Sequence, residues 1–221
     1  MIARATNVFT MRRTLCKMLS RRDYTVPSSI ANEPFEVFQS AYINHKLANE
    51  VEETSDFQLD FTVTHKQDGG NKLMVFFPGD TEKNNLGISH IRNYLAAMET
   101  ENVCRAILVV HDSLTAPAVL TLKDLELKGT YIAFFSEQEL MYDIYEHSKV
   151  PRHIVLTPGE KEELLRTLRA TEDLLPKMQK QDPMARYLGL RVGDVVKILR
   201  YSYTVAHDVY YRIVVDSEDF Q

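Results

Sequence analysis

The chain has 221 residues, 44% of them hydrophobic, with 31 acids against 26 bases. That length suits one large or two small domains with enough apolar content for real cores, and the acidic excess argues against a free-standing nucleic-acid binder. Cys16 and Cys104 share no metal-type spacing and make no disulfide framework, as expected for a reducing compartment, and no apolar run approaches the ~20 residues that span a bilayer.

Residues 1–22 hold Arg4, Arg12, Arg13, Lys17, Arg21 and Arg22 and no acid. Val8, Met11, Leu15 and Met18 follow one helical face, and Arg13, Lys17 and Arg21 lie roughly opposite. An amphipathic basic helix satisfies both a mitochondrial transit peptide and a folded helix, and the pattern alone does not decide. Asn32 and Pro34 predict the next helix start, with Phe35, Phe38 and Tyr42 as its apolar face. Alternation over Phe57, Leu59, Phe61 and Val63 predicts a half-buried strand. Asp68-Gly69-Gly70-Asn71 then turns the chain into a returning strand, Lys72 to Phe77, stopped by Pro78-Gly79. Ile88, Ile91, Leu95 and Met98 predict a helix, and Ala106 to Val110 a strand covered on both faces. Leu120 to Leu127 is ambiguous, Tyr131 to Phe135 is strand-like, and Glu137 to His147 reads as a helix. This alternation predicts an α/β layer fold over residues 1–149.

Val150-Pro151 marks the expected boundary, because a residue before proline favours extended geometry. Thr157-Pro158-Gly159-Glu160 is a helix start with cap, proline and capping-box acid in order. Asp182-Pro183 starts a second, shorter helix through Tyr187, which Gly189 ends. Asp194 to Arg200 and Val209 to Val215 are β-branched and should pair. Residues 150–215 therefore read as a small α+β domain near the size limit for independent stability. Residues 216–221 read as a flexible polar tail.

The run DPMARYLGLRVGDVVKILR, Asp182 to Arg200, resembles the DPxARYxGxxxGxVVKIxR signature of the eukaryotic fifth RNA polymerase subunit. That subunit is shared by polymerases I, II and III, and its C-terminal half matches a small subunit of archaeal RNA polymerase. VPRHIVLT from Val150, LLPKMQ from Leu174, MVFFP from Met74 and RAILVV from Arg105 are similar to the same family in the same order. The resemblance implies an N-terminal α/β jaw of restriction-endonuclease-like topology near downstream DNA. It also implies a C-terminal assembly domain anchored to the largest polymerase subunit, and no catalytic activity. It favours the folded basic helix over the transit peptide, and with it the nucleus. Two departures stand out: Tyr201 to Asp208 replaces a PSETAG-like turn, and Asp216 to Gln221 extends the end. They suggest a divergent paralogue dedicated to one polymerase, polymerase I, which would place it in the nucleolus.

The expected partner interface comprises Asp182, Pro183, Arg186, Tyr187, Gly189, Gly193, Lys197, Arg200, Tyr211 and Arg212. Arg and Tyr types favour interface anchoring. Asp182-Pro183 needs no more than a helix-start role, the glycines suit positive φ or close approach, and Lys197 suits a solvated edge. The expected downstream DNA contact is a surface loop, Thr115, Ala116, Pro117 and Ala118, at the position of a TPSA-like loop in the family. No cation follows it directly, since Val119 stands there, so that contact should be weak and sequence-independent. The basic face of the first helix reads as a solvated face. No membrane, small-molecule ligand, cofactor or metal is expected. A nuclease needs an acid on one strand and an acid–lysine pair on the next to hold Mg²⁺. Asp60 supplies the first, but Lys72 to Phe77 contains no acid, and Asp80 falls beyond Pro78-Gly79. The histidines show no HExxH spacing, and neither a GxSxG elbow nor a P-loop occurs. A free-standing transcription adaptor is the other alternative.

Overall fold

Helix α1 (Ile2–Arg21) forms because its apolar residues recur every three to four positions, and that stripe is buried. Ala5, Val8, Met11, Leu15, Met18 and Leu19 are all lost from solvent, while Arg13 and Lys17 lie outward. In the computed structural model, residues 2–50, 59–77, 86–200 and 208–216 are described. They divide into two compact units, Met1–Tyr142 and Asp143–Gln221.

In the first unit, α1 is followed by strand β1 (Tyr24–Thr25), helix α2 (Ser28–Ala31) and helix α3 (Phe35–Glu50). Aromatic side chains join α1 to α3. Phe9 meets Phe35 edge-on at 5.2 Å and Phe38 at 5.4 Å, and Phe38 stacks on Tyr42 at 5.9 Å. Arg12 turns inward, unlike Arg13 and Lys17: it pairs with Glu33 at 2.8 Å and lies over the rings of Phe38 and Phe61. Burial lowers its pKa despite Glu33. Burial likewise pushes the Cys16 thiol up to about 11, so it behaves as a small core hydrophobe.

Strands β2 (Phe61–His65) and β3 (Lys72–Phe76) form the expected hairpin, antiparallel across the Asp68 turn. Leu59 lies ahead of the strand, and Phe57, Pro78, Gly79 and Asp80 lie outside the described residues. Helix α4 (Ile88–Thr100), strand β4 (Arg105–Val110), helix α5 (Ala116–Leu127), strand β5 (Tyr131–Ser136) and helix α6 (Glu137–Leu140) complete the unit. The five strands lie in order β1-β2-β3-β4-β5, with β3, β4 and β5 parallel. Ala106, Leu108 and Val110 of β4 pack with Ile91 and Met98 of α4 and with Ala118 and Leu122 of α5. Ile107 and Val109, on the opposite side by alternation, are equally buried, so the continuous apolar run is covered on both faces.

One open reading is settled here and one expectation is corrected. The ambiguous stretch from Leu120 is part of α5, which starts at Ala116 because Thr115 is extended and Pro117 suits a first turn. The expected helix from Glu137 to His147 is one turn only. Ser136 and Glu139 cap it reciprocally, and the chain then leaves for a 3₁₀ turn at Ile144–Glu146. Glu137, at its start, accepts two hydrogen bonds from the Arg4 guanidinium, at 2.5 and 2.6 Å, and lies 3.1 Å from His111 Nδ1. This shared carboxylate ties α1 to the ends of β4 and β5.

The second unit has strand β6 (Arg152–Val155), helix α7 (Pro158–Leu168), strand β7 (Lys177–Gln179), helix α8 (Pro183–Leu188), strand β8 (Val195–Arg200) and strand β9 (Asp208–Val215). Its sheet order is β6-β8-β9-β7. The predicted pairing of the last two long strands is present and antiparallel, with Val196 opposite Arg212 and Lys197 opposite Tyr211. The short strands β6 and β7 lacked a sequence signal of their own, since each is an edge strand of three or four residues. The division falls at Tyr142/Asp143, ahead of the expected Val150-Pro151. Ile144, Tyr145 and Val150 pack on the core of this unit, so the residues before the proline belong to it. Of the expected tail, only Asp216 lies within the described residues.

Candidate partner-docking site

Asp182 caps α8: its Oδ1 accepts from the Met184 backbone N–H at 2.8 Å, one of the otherwise orphaned donors of a helix start. Pro183 follows at the first helical position and is exposed. The helix ends at Gly189 with φ 69°, and Gly193 has φ 93°, so both glycines serve positive-φ backbone. A Cβ at Gly193 would meet nothing within 4 Å, which leaves conformation as the reason for it. The Gly193 carbonyl accepts from Lys161 Nζ at 2.8 Å, fastening the turn before β8 to α7.

Tyr187, expected at the interface, is buried within this chain. It is 4% exposed, its ring stacks on Tyr145 at 6.0 Å, and its hydroxyl donates to Asp143 Oδ1 at 2.8 Å. The same Asp143 oxygen accepts from the Tyr145 backbone N–H at 3.1 Å. The pair was hidden in the sequence because 44 positions separate its partners. Arg186, one position earlier, is half-exposed in the last turn of the same helix.

The strands divide the remaining predicted residues between two faces. Val196, Ile198 and Val214 turn toward Met184, Ala185 and Leu190, forming the core under α8. His153 of β6 lies on that side, is buried, and holds the Pro151 carbonyl at 2.7 Å through Nδ1. Desolvation lowers its pKa below the ordinary value, and the Pro151 contact opposes this less strongly. On the opposite face Val195, Ile213 and Leu175 pack with Leu164 and Leu165 of α7. Lys197 and Tyr211 share that face, directly opposite each other. Arg200 ends β8 exposed, and Arg212 Nη1 donates to the Lys177 carbonyl at 3.1 Å across the sheet. Arg186, Lys197, Arg200, Tyr211 and Arg212 therefore do not form one cluster: a single strand period sends neighbours to opposite faces.

Within the first unit, Thr115, Ala116, Pro117 and Ala118 form a helix start and not a loop. The Thr115 hydroxyl donates to the Leu86 carbonyl at 3.4 Å, and Ala118 is 0% exposed beneath the helix, so it has no surface to offer DNA. Ala116 and Pro117 are exposed. Asp60 Oδ1 accepts from the Phe77 backbone N–H at 2.7 Å, a structural use of the acid considered for a nuclease. Among the described residues, no group of three metal-ligating side chains converges, and no helix is long and apolar enough to cross a membrane.

The described residues form a mixed α/β unit with a five-stranded sheet, followed by a smaller unit with a four-stranded sheet. Family models agree with both parts. The N-terminal domain model of RNA polymerase Rpb5 matches residues 3–98, and the C-terminal domain model matches residues 142–214. The chain belongs to the RNA polymerase Rpb5 family. It is 37% identical over 205 residues to the DNA-directed RNA polymerases I, II, and III subunit RPABC1 of Caenorhabditis elegans, covering 93% of this chain and 94% of that one. It is 35% identical over 206 residues to the Dictyostelium discoideum protein of the same description, covering 93% and 95%. The DNA-directed RNA polymerase subunit 5-like protein 1 of Arabidopsis thaliana is 34% identical over 211 residues, covering 95% and 96%.

Proposed function

We propose that this chain is a non-catalytic structural subunit of a nuclear DNA-directed RNA polymerase. It docks on the largest subunit through the unit from Asp143 and holds its first unit near downstream DNA. The carrying observation is similarity to shared polymerase subunits across both units. It is supported by the Asp182 to Arg200 signature, whose capping and positive-φ residues build α8 and the turn into β8. DNA proximity rests on the family resemblance, and the exposed Ala116-Pro117 start of α5 is the part of the expected contact that remains at the surface. A jaw of restriction-endonuclease-like topology belongs to this same reading. Service to polymerase I alone is the narrower reading. It rests on Tyr201 to Asp208, of which 201–207 lie outside the described residues.

Tagged protein purified from its native cells at high salt tests the proposal. The expected result is stoichiometric recovery of the two large polymerase subunits, and their absence refutes it. Recovery with polymerase I alone supports the narrower reading; recovery with another class or with all three refutes that reading only. Arg186→Glu should weaken recovery without unfolding the chain, and loss of folding would reassign Arg186 to a structural role.

A further inference from the structure

Helix α5 is apolar on two opposite sides. Ala118, Leu122 and Leu125 pack on the core of the first unit. At about 3.6 residues per turn, Leu120 and Leu127 fall on the side directly away from that core and in line with each other. Leu120 is 62% exposed, and Leu127, at 87%, is the most exposed large apolar side chain among the described residues. A surface helix carries polar residues on its outer side, and one that is apolar all round is buried all round. Singly exposed leucines need no explanation, but two in one line on the outer side of a helix do. Charges border the line without interrupting it: Lys123 and Glu126 on one flank, Asp124 and Lys128 on the other, all exposed. Each flank thus carries one charge of each sign, in opposite order.

We infer that this line pairs with its own copy on a second molecule, α5 against α5 in antiparallel order about the midpoint between Leu120 and Leu127. The two-fold sets Leu120 of each chain beside Leu127 of the other, so the contact is isologous and closes as a dimer. A two-fold that reverses the helices faces each flank with the same flank running the other way. Lys123 then meets the second copy's Glu126, and Asp124 meets its Lys128. A partner of uniform charge along either flank would meet a like charge at one of the two positions, whereas a second copy meets none. Antiparallel order also sets the positive start of one helix beside the negative end of the other. The surface belongs to the first unit, so the inference is independent of docking through the second. One helix pair buries less than the roughly 1,000 Å² of a stable complex, so the dimer is weak, with a Kd of about 100 μM.

Sedimentation equilibrium of the purified full chain from about 10 to 500 μM should show a monomer–dimer equilibrium. Leu127 already meets water in the monomer, so Leu127→Asp should leave the circular dichroism spectrum unchanged and weaken association about tenfold. If that variant fails to fold, Leu127→Gln replaces it with the same outcome expected. Asp124→Lys should weaken association about threefold, and Asp124→Lys with Lys128→Asp should restore it. Parallel helices would set those two swapped residues against Lys123 and Glu126 and give no rescue. With Cys104→Ser throughout, a mixture of Leu120→Cys and Leu127→Cys chains should oxidise to a crosslinked dimer that neither forms alone. A monomer across the whole range, an undiminished dimer in Leu127→Asp, absent rescue, or self-crosslinking of Leu120→Cys each overturns the inference. So does a monomeric chain whose Leu127→Asp variant loses polymerase subunits on purification, which assigns the line to a polymerase partner.

Discussion

Replacing Tyr187 by Phe removes one oxygen and keeps the ring on Tyr145. The hydroxyl lost is buried and donates to a carboxylate at 2.8 Å. A hydrogen bond to a charged group contributes about 2 kcal/mol net, more than a neutral one. Asp143 keeps its bond from the Tyr145 N–H at 3.1 Å, so the carboxylate is not stripped of partners and the cost should stay near that figure. With a urea dependence of about 1 kcal/mol per molar for so small a unit, the midpoint should drop by about 2 M. Amide hydrogen exchange at Val196, Ile198 and Val214, the strand residues beneath α8, reports this unit separately from the first. Their protection should fall about 30-fold, which is the same 2 kcal/mol expressed as an equilibrium constant. Polymerase retention of the folded variant should be unchanged. Full protection combined with lost retention would refute the argument and return Tyr187 to the interface.

Other consequences follow from the same contacts. Ala118→Asp places an unpaired charge between α5 and β4 and should cost several kcal/mol, visible as loss of soluble folded protein, whereas Ala116→Asp on the exposed side should be near neutral. Glu137→Gln removes the charge that holds both Arg4 and His111 and should cost about 2 kcal/mol, lowering the melting temperature by several degrees. The folded-state pKa of His153 is depressed below 6.5, so the unfolded chain binds the extra proton first. Its contribution to stability is therefore complete above 6.5 and is lost as pH falls through the window beneath it. Urea midpoints across that window should show a slope that His153→Gln flattens.

The elements were legible wherever a local signal sufficed. Asp182, Pro183 and Gly189 specify α8 through cap, first-turn proline and positive φ, and each of these acts within a few residues. The same holds for α7, whose Thr157–Glu160 capping box is present as read. Periodicity identified the buried stripe of α1 and the doubly covered β4. Arg12 lies off the predicted apolar stripe yet is buried, because Glu33 and two rings from α3 and β2 surround it. Family membership was also legible, because Asp182 to Arg200 is a long ordered signature and not a composition.

Tertiary structure decided how those residues are used. Tyr187 looked like an anchor by residue type, and only the fold brings Asp143 across to claim its hydroxyl. Ala118 looked like loop surface, and only the packing of α5 on β4 buries it. Lys197 and Arg200 look like one cationic cluster in sequence, but an odd number of strand positions separates them and sends them to opposite faces. Local chemistry sets where a helix starts or a strand alternates. Which side of each element meets protein and which stays open depends on register and long-range packing, which no single stretch of sequence contains.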